Sequence, residues 1–524
     1  MEPLTSLQKA LPYSGETPPA SGEASPSEEQ PPLEPPKTGI ANLPNELLSM
    51  ICELLIPINE RGTWKSKLDT VDTTKQIYIL KDYNRMALRG FALSCKRHRK
   101  VALFHLRGSI VVPDFGSASH LVSILRRLNK SSVSAQHTQR LCISVADNAS
   151  SFESFRNVWT PFWAVGNVSK SLKSDRKIQD DCSFVTELAQ ASGRPVPALI
   201  PMRPSRDAQR ASWAALHGLL TVLTMDRLPN LRELTLSLPP MVAEEIVKTF
   251  GAASRATPAP ALPTLEAIRI AFRAWYRSDD YVGFERLSST AVASLLALGE
   301  NVSELYLQDC NVSGAEYTRA LGRLRSVTLK RVTLTADDLQ RLFGGCQELT
   351  HFAFLARNAT RPPEGFLERR PMAPDIVAVL KKSSRTLRSL CIDTRYLGVD
   401  DILQYETPLE MGVFECLEKL WIDIRSVDCP IGGCSRARRR TFFTTLPQTL
   451  RRLHLDGFAF GYGLLMNLRE FAVSLSRERH SLLTEVAAEC FHHWAVREGQ
   501  EILQIFQSSG VTVLPHACKE PVLW

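Results

Sequence analysis

Three aspartates close successive segments of similar sequence, and their placement suggests a binding role. Asp393, Asp423 and Asp456 follow the phrases SLCI, KLWI and RLHL. In a stack of parallel strands these carboxylates would line up along one edge of the sheet, where they would attract a basic partner segment. Aspartate at a strand end also forms turn hydrogen bonds, so a purely structural role is the alternative.

The residues between the apolar positions of these phrases predict a protein-binding surface. Trp421 and His454 occupy the middle position of two adjacent phrases. An exposed aromatic side chain on a sheet is a typical interface anchor. A lid over an internal cavity, or packing against the C-terminal segment, is the alternative interpretation. With Tyr306, Lys330 and His351 from other phrases, and with the three aspartates, these residues form the predicted binding surface for an unknown protein substrate.

Residue patterns for catalysis and metal binding are missing from the sequence. The chain has no phosphate-binding glycine loop, no G-x-S-x-G and no H-E-x-x-H. Cys429 with Cys434, and Cys490 with His492 and His493, lack a second ligand pair at zinc-site spacing. The sequence therefore predicts no enzyme activity, no cofactor and no metal.

A repeated phrase of the form L-x-x-L-x-L is the element that would position the binding surface. Helix-compatible segments separate the phrases, such as one that begins at Thr335, with Asp338 three residues later as in a capping box. Units of strand, turn and helix predict an α/β fold, an irregular leucine-rich-repeat solenoid over 228–524 with a parallel sheet on its concave face. The phrases begin at Leu231, Leu265, Val302, Leu324, Leu349, Leu387, Leu417 and Leu450.

Further elements are predicted on both sides of these phrases. Residues 139–145 read as a strand and 208–225 as an apolar helix, although 113–227 is otherwise poorly legible. After the last phrase the pattern predicts helices over 467–477 and 495–507, and strands over 483–488 and 511–514.

The N-terminal part of the chain reads as a leader followed by short helices. Residues 1–38 are rich in Pro, Ser and Glu, which predicts disorder. The segment LPNELLSMICELL predicts an amphipathic helix, with Leu43, Leu47, Ile51 and Leu54 at helical spacing and Pro44 in its first turn. After a polar insertion at about 57–84, two more helices and a strand over 109–112 are predicted.

These helices and repeats together resemble the F-box and leucine-rich-repeat proteins that are abundant in fungi. The resemblance rests on LPNELLSMICELL, on ALSCKRHRKVALFHLRGSIVV and on the irregular repeats, and it covers about 40–112 and 228–515. It implies an F-box that docks on a Skp-type adaptor of a cullin-RING, or SCF-type, ubiquitin ligase, and repeats that present a target protein. The insertion after Ile56 is longer than the usual connector of the family. The implied adaptor-binding residues are Leu43, Pro44, Leu47, Leu48, Ile51, Leu54, Leu93 and Val101.

Composition limits the other classes of partner. A net charge of +8, from 63 basic and 55 acidic residues, falls short of a nucleic-acid binder's footprint. Every apolar run is too short to span a membrane, and the N-terminus lacks a signal-peptide pattern. We therefore expect no nucleic acid or membrane partner, and a cytoplasmic or nuclear location.

The RARRR run at 436–440 has three interpretations: a nuclear import signal, a patch for an acidic partner, or a solvated loop.

Two functions follow from this reading. The first is a substrate-recruiting adaptor of a ubiquitin ligase, in which the chain supplies proximity and no chemistry. The second is a non-degradative scaffold, in which the F-box-like helices only cap the apolar end of the solenoid. Exposure of Leu47, Ile51 and Leu54 as an apolar patch would favour the first function.

Overall fold

A computed structural model covers the 524-residue chain. The residues that it describes lie between Leu43 and Leu514. In the N-terminal part they are 43–44, 47–48, 90–91, 93–96, 98–99, 101–102 and 108–112. They continue through 117–145, 176–196, 206–254, 262–272, 286–313, 321–356, 370–394, 409–427, 442–456, 462–475, 482–488 and 497–514.

Twelve parallel strands form one sheet in which spatial order follows chain order. Two further short strands, β5 and β7, pair with each other in a separate small sheet. Strands that return in the same direction need a crossover connection each time, so this order is compatible with a solenoid-like α/β fold. The strands are β1 (Ser109–Val112), β2 (Arg140–Ser144), β3 (Glu233–Leu238), β4 (Ala267–Phe272), β5 (Arg286–Ser288), β6 (Glu304–Gln308), β7 (Asn311–Ser313), β8 (Ser326–Lys330), β9 (His351–Leu355), β10 (Ser389–Asp393), β11 (Lys419–Asp423), β12 (Arg452–Asp456), β13 (Glu485–Ala488) and β14 (Thr512–Leu514).

The crossover segments contain helices that pack on one face of the sheet. Helix residues such as Leu219, Ile376 and Phe471 share one buried core with the second and third apolar residues of the strand phrases. In the described ranges these helices are α1 (Ser117–Lys130), α2 (Ser132–His137), α3 (Arg176–Ala191), α4 (Arg206–Asp226), α5 (Pro240–Ser254), α6 (Ser289–Leu296), α7 (Ala336–Phe343), α8 (Ala373–Leu380), α9 (Tyr462–Leu475) and α10 (Arg497–Ser508).

The predicted α/β class with a parallel sheet is confirmed. Each of the eight phrases leads into a strand, and the later predicted elements appear as α9, β13, α10 and β14. The helix after Thr335 begins with the expected capping box, in which the Asp338 amide donates to Thr335 Oγ1 over 3.0 Å. The sheet also extends further towards the N-terminus than the phrases indicated, because β1 pairs with β2 and β2 pairs with β3.

The apolar residues of each phrase explain why the strands stack. Leu420, Ile422, Leu453 and Leu455 are fully buried against the helix layer. Burying one such side chain contributes about 1.5–3 kcal/mol, so each strand adds several such contributions. The residue before six of the eight phrases links neighbouring repeats, because its side chain donates to a carbonyl of the preceding one. Thr386 Oγ1, for example, donates to the Leu349 carbonyl over 2.8 Å.

His217, on α4, is a buried titratable residue whose protonation is coupled to folding. Its Nδ1 donates to the Trp213 carbonyl over 2.9 Å, and the two rings are in contact. Burial lowers the pKa of His217 from 6.5 to about 4, so the imidazole is neutral at neutral pH. The unfolded chain binds a proton in the window between these values and the native chain does not.

We expect this histidine to make the protein sensitive to acid. Its contribution to stability is complete above pH 6.5 and is lost as the pH falls towards 4, with a total of about 3 kcal/mol. Chemical denaturation between pH 7 and pH 4 should therefore show a smaller acid-induced loss for His217→Gln than for the native chain. The matched control is His137→Gln at an exposed site on α2. Equal acid-induced losses in both variants would contradict this assignment.

Candidate functional site

The face of the sheet opposite the helices carries the predicted binding residues in three columns. Each strand contributes a first, a middle and a last outward residue, and parallel register aligns them. Strand β11 contributes Lys419, Trp421 and Asp423 to the three columns. It pairs with β12 so that Trp421 lies directly beside His454, as predicted.

The aspartate column has the predicted alignment but not the predicted exposure. Asp423 pairs with Asp456 in the sheet register, and Asp393 holds the same place on β10. Their exposed fractions are 1% for Asp393, 0% for Asp423 and 6% for Asp456. The expectation of an open acidic edge is therefore wrong for these three residues.

Hydrogen bonding shows what the central aspartate does instead. Asp423 Oδ2 accepts from the Thr394 amide over 2.9 Å, from the Thr394 hydroxyl and from Ser426 Oγ over 3.0 Å. Burial raises the pKa of Asp423, these hydrogen bonds from Thr394 and Ser426 lower it, and the nearby Asp393 charge raises it. Asp423 thus joins Thr394, directly after β10, to Ser426, shortly after β11, which is the structural alternative for an aspartate at a strand end.

Trp421 was predicted to be an exposed anchor, and this prediction is wrong. Its side chain is fully buried, in a small apolar cluster with Ala353, Leu355 and Cys391 on the outward face. In β9 to β12 every residue after the first is buried, so both faces of these strands are covered. In β3, β6 and β8, by contrast, buried residues alternate with more exposed ones. The sequence pattern could not show this, because alternation assigns a face to a residue but not what lies against that face.

His454 is also buried, and it pairs with a carboxylate on the next strand. The imidazole is 1% exposed, and its Nε2 donates to Glu485 Oε1 over 2.6 Å. Burial lowers the pKa of His454, while the hydrogen bond and the charge of Glu485 oppose that change. Arg452 lies 3.9 Å from the other oxygen of Glu485. Glu485 therefore links a buried histidine to an accessible arginine at the beginning of β12.

Tyr306 and Lys330 belong to a different part of the face, where a hydrogen-bond chain follows β6. Tyr306 Oη donates to Gln308 Oε1 over 2.7 Å, and Gln308 Nε2 donates to Asp309 Oδ2 over 2.7 Å. Arg331, directly after Lys330, forms an ion pair with Asp309. Asp309 and Arg331 have φ of 56° and 52°, a left-handed backbone that non-glycine residues adopt at a cost. The ion pair connects the two strained turns, so this group holds the fold around Tyr306.

The first outward column remains accessible on the strands whose middle and last residues are buried. His351 is exposed, and Lys419 and Arg452 are partly exposed. Burial lowers the pKa of His351, as do the charges of Lys419 and Arg388, while Glu418 opposes them. Of the predicted substrate-binding residues on β9 to β12, the accessible one is therefore His351, at the beginning of β9.

The structure reveals a charged depression at this end of the sheet. It has a volume of about 390 Å³. Arg388, at the beginning of β10, extends the charged surface, with its Nη1 3.2 Å from Glu418 Oε1. We call this surface, from Arg388 to the beginning of β13, the rim site. The depression is lined by Glu418, Lys419, Arg451, Arg452, Leu482 and Thr484.

Sequence reasoning missed the rim site because it ranked residues by their place within the phrases. The adjacent pairs Glu418–Lys419 and Arg451–Arg452 stand where the strands begin, just outside the apolar core. Charged pairs at that place in successive phrases are the signal that would have indicated the site.

No protein-family model matches this chain, and no curated protein matches it at a significant level.

The described residues of the N-terminal helices present two exposed leucines. Leu47 is 43% exposed and Leu93 is 82% exposed, whereas Leu48 is fully buried. Pro44 is exposed, Leu43 and Val101 are partly buried, and the Leu48 amide donates to the Pro44 carbonyl over 3.0 Å. Ile51 and Leu54 lie outside the described residues.

The described ranges also bear on metal binding and on membrane insertion. These ranges contain no group of three or more His, Cys, Asp or Glu side chains that could hold a metal ion. Cys429, Cys434, Cys490, His492 and His493 lie outside them. None of the described helices is long and apolar enough to cross a membrane.

Proposed function

We propose that this protein is a substrate-recruiting adaptor of an SCF-type, cullin-RING ubiquitin ligase. Its N-terminal helices would act as an F-box that binds a Skp-type adaptor, and its leucine-rich-repeat solenoid would hold the target protein. The chain would supply no catalytic group and no cofactor, because transfer of ubiquitin would take place on other subunits. Such a complex would operate in the cytoplasm, the nucleus or both.

The exposure of Leu47 is the observation that carries this proposal. Leu47 and Leu48 are neighbours on one helical turn, yet one is 43% exposed and the other fully buried. Leu93, in the second helical segment, is 82% exposed. Large exposed apolar side chains on short helices mark a docking surface for another protein. Helices that served only to cap the solenoid would be expected to bury Leu47 against the repeats.

The sheet supports the second half of the proposal. Its strands follow one another in chain order, and the apolar residues of the eight phrases enter a continuous core. An extended surface of this kind suits the binding of protein segments. The rim site gives that surface accessible charged groups.

Leu47→Asp is expected to abolish co-purification of a recombinant Skp-type adaptor with the full chain. A carboxylate at this position would have to lose its hydration when the apolar contact forms, so binding should weaken by a factor of about ten or more. Pro44→Ala combined with Leu47→Ala should have the same effect through loss of apolar area. The readout is pull-down followed by calorimetric titration.

The matched control is Val133→Asp, because Val133 is 49% exposed and lies on α2, the helix before β2. This variant should bind the adaptor as the native chain does. Adaptor binding that survives both N-terminal variants would exclude the F-box assignment and favour the non-degradative scaffold. In that function the repeats would hold a partner and the N-terminal helices would only cover the end of the solenoid.

A further inference from the structure

We propose that the rim site binds an acidic peptide segment of the partner protein, one rich in aspartate and glutamate. The inference rests on the proposed role of the repeats in holding a partner, and it adds the chemical class and the place of contact. It also replaces the expectation of a basic partner. That expectation rested on three aspartates, and all three are buried.

The charges at the rim site favour an anionic ligand. Arg388, Lys419, Arg451 and Arg452 bring four positive charges to the beginnings of three neighbouring strands. Glu418 and Glu485 bring two negative charges, at 3.2 Å from Arg388 and 3.9 Å from Arg452 respectively. The excess of positive charge remains in contact with solvent, since the side chains of Arg388 and Arg452 are 63% and 43% exposed.

The shape of the site favours an extended peptide. Adjacent strands lie about 4.8 Å apart, so the surface from β10 to β13 is about 14 Å long and matches about four or five extended residues. Leu482 is 45% exposed in the wall of the depression and offers an apolar contact between the charges. Thr484 closes the β13 end of the same wall, where its hydroxyl donates to the Arg451 carbonyl over 3.0 Å.

Nucleic acid is the other polyanion that such charges could attract, and the site is less suited to it. Glu418 and Glu485 would lie close to a continuous phosphate backbone and repel it. Single-stranded nucleic acid also binds through aromatic side chains on which bases stack, and Trp421 on β11 is fully buried. A peptide can place its carboxylates opposite the basic groups and neutral residues opposite the two glutamates.

The test is fluorescence anisotropy with the full chain and a labelled peptide of about ten residues made of Glu, Asp and Leu. We expect saturable binding at low ionic strength that weakens about tenfold between about 50 mM and 500 mM NaCl. The same peptide with Gln and Asn in place of Glu and Asp should not bind. Equal binding of the neutral peptide, or tighter binding of a single-stranded oligonucleotide, would overturn the proposal, as would failure of the acidic peptide to bind.

Two variants place the binding at the rim. Lys419→Gln with Arg451→Gln should weaken the acidic peptide about tenfold. Arg127→Gln with Lys130→Gln removes the same charge from exposed positions on α1 and should leave affinity unchanged. If the rim variant does not fold, Glu418→Gln tests the site instead. Loss of this carboxylate should tighten binding of the acidic peptide about threefold. Unchanged affinity in the folded rim variant, or in Glu418→Gln, would contradict the site.

Adaptor capture by the same preparations separates this inference from the proposed function. A chain that captures the Skp-type adaptor but ignores the acidic peptide would refute the rim site alone. A chain that binds the acidic peptide but not the adaptor would refute the ligase role and leave the rim site intact.

Discussion

Trp421→Ala is expected to lower the free energy of unfolding by about 3–5 kcal/mol, as large-to-small aromatic substitutions in cores do. Trp421 is fully buried in the cluster with Ala353, Leu355 and Cys391, and it lies beside His454 in the register of β11 and β12. Alanine would leave a cavity that these neighbours, fixed on three strands, fill only in part. Urea denaturation monitored by circular dichroism measures the change.

Two controls separate this cavity from a general effect of losing apolar area. Trp421→Phe keeps an aromatic ring in the cluster and should lose less than half as much stability as the alanine variant. Val133→Ala removes apolar atoms from a side chain that is 49% exposed and should change stability by no more than about 0.5 kcal/mol. A Trp421→Ala chain with native stability would show that the tryptophan does not support the fold.

The burial of Trp421 also changes how a binding experiment is designed. A partner lost by Trp421→Ala would report unfolding of the sheet as readily as a lost contact. Lys419, two residues earlier on the same strand, is partly exposed and lines the depression. Lys419→Gln therefore tests binding on β11 with little change in stability, and it replaces Trp421→Ala for that purpose.

The sheet could be predicted from the sequence because its core depends on apolar residues at fixed spacing. Leu417, Leu420 and Ile422 are fully buried, as the phrase predicts, and Leu450, Leu453 and Leu455 repeat the pattern on the next strand. Register follows from the same residues, since a shift by one position would turn every leucine to the other face. The side-by-side placement of Trp421 and His454 was therefore correct.

Burial of the outward face could not be predicted in the same way. Alternation placed Asp423 on the outward face, but its burial depends on Thr394 and Ser426, which follow strands in two different repeats. The rim site has the same origin, because Lys419, Arg451 and Thr484 meet only through the stacking of three strands. The charged pairs mark rim positions in the sequence, but their contacts with one another and with Thr484 follow from tertiary structure.

Asp423→Ala is expected to destabilise the protein by about 2–4 kcal/mol, because a buried donor without an acceptor costs about 1–3 kcal/mol and weakened hydrogen bonds add to that cost. Asp423 is fully buried, and its Oδ2 accepts from the Thr394 amide, the Thr394 hydroxyl and Ser426 Oγ. Alanine would remove the acceptor of the Thr394 amide, and the Thr394 and Ser426 hydroxyl groups would keep their contact with each other over 3.0 Å. Asp423→Asn keeps an oxygen at that position and should lose clearly less stability than the alanine variant.

The control is Asp337→Ala, at an exposed position on α7, and denaturant unfolding compares the three variants. If Asp423→Ala and Asp337→Ala unfolded at the same denaturant concentration, the end of β10 would not depend on this carboxylate, and an interaction role for the aspartate column would have to be reconsidered.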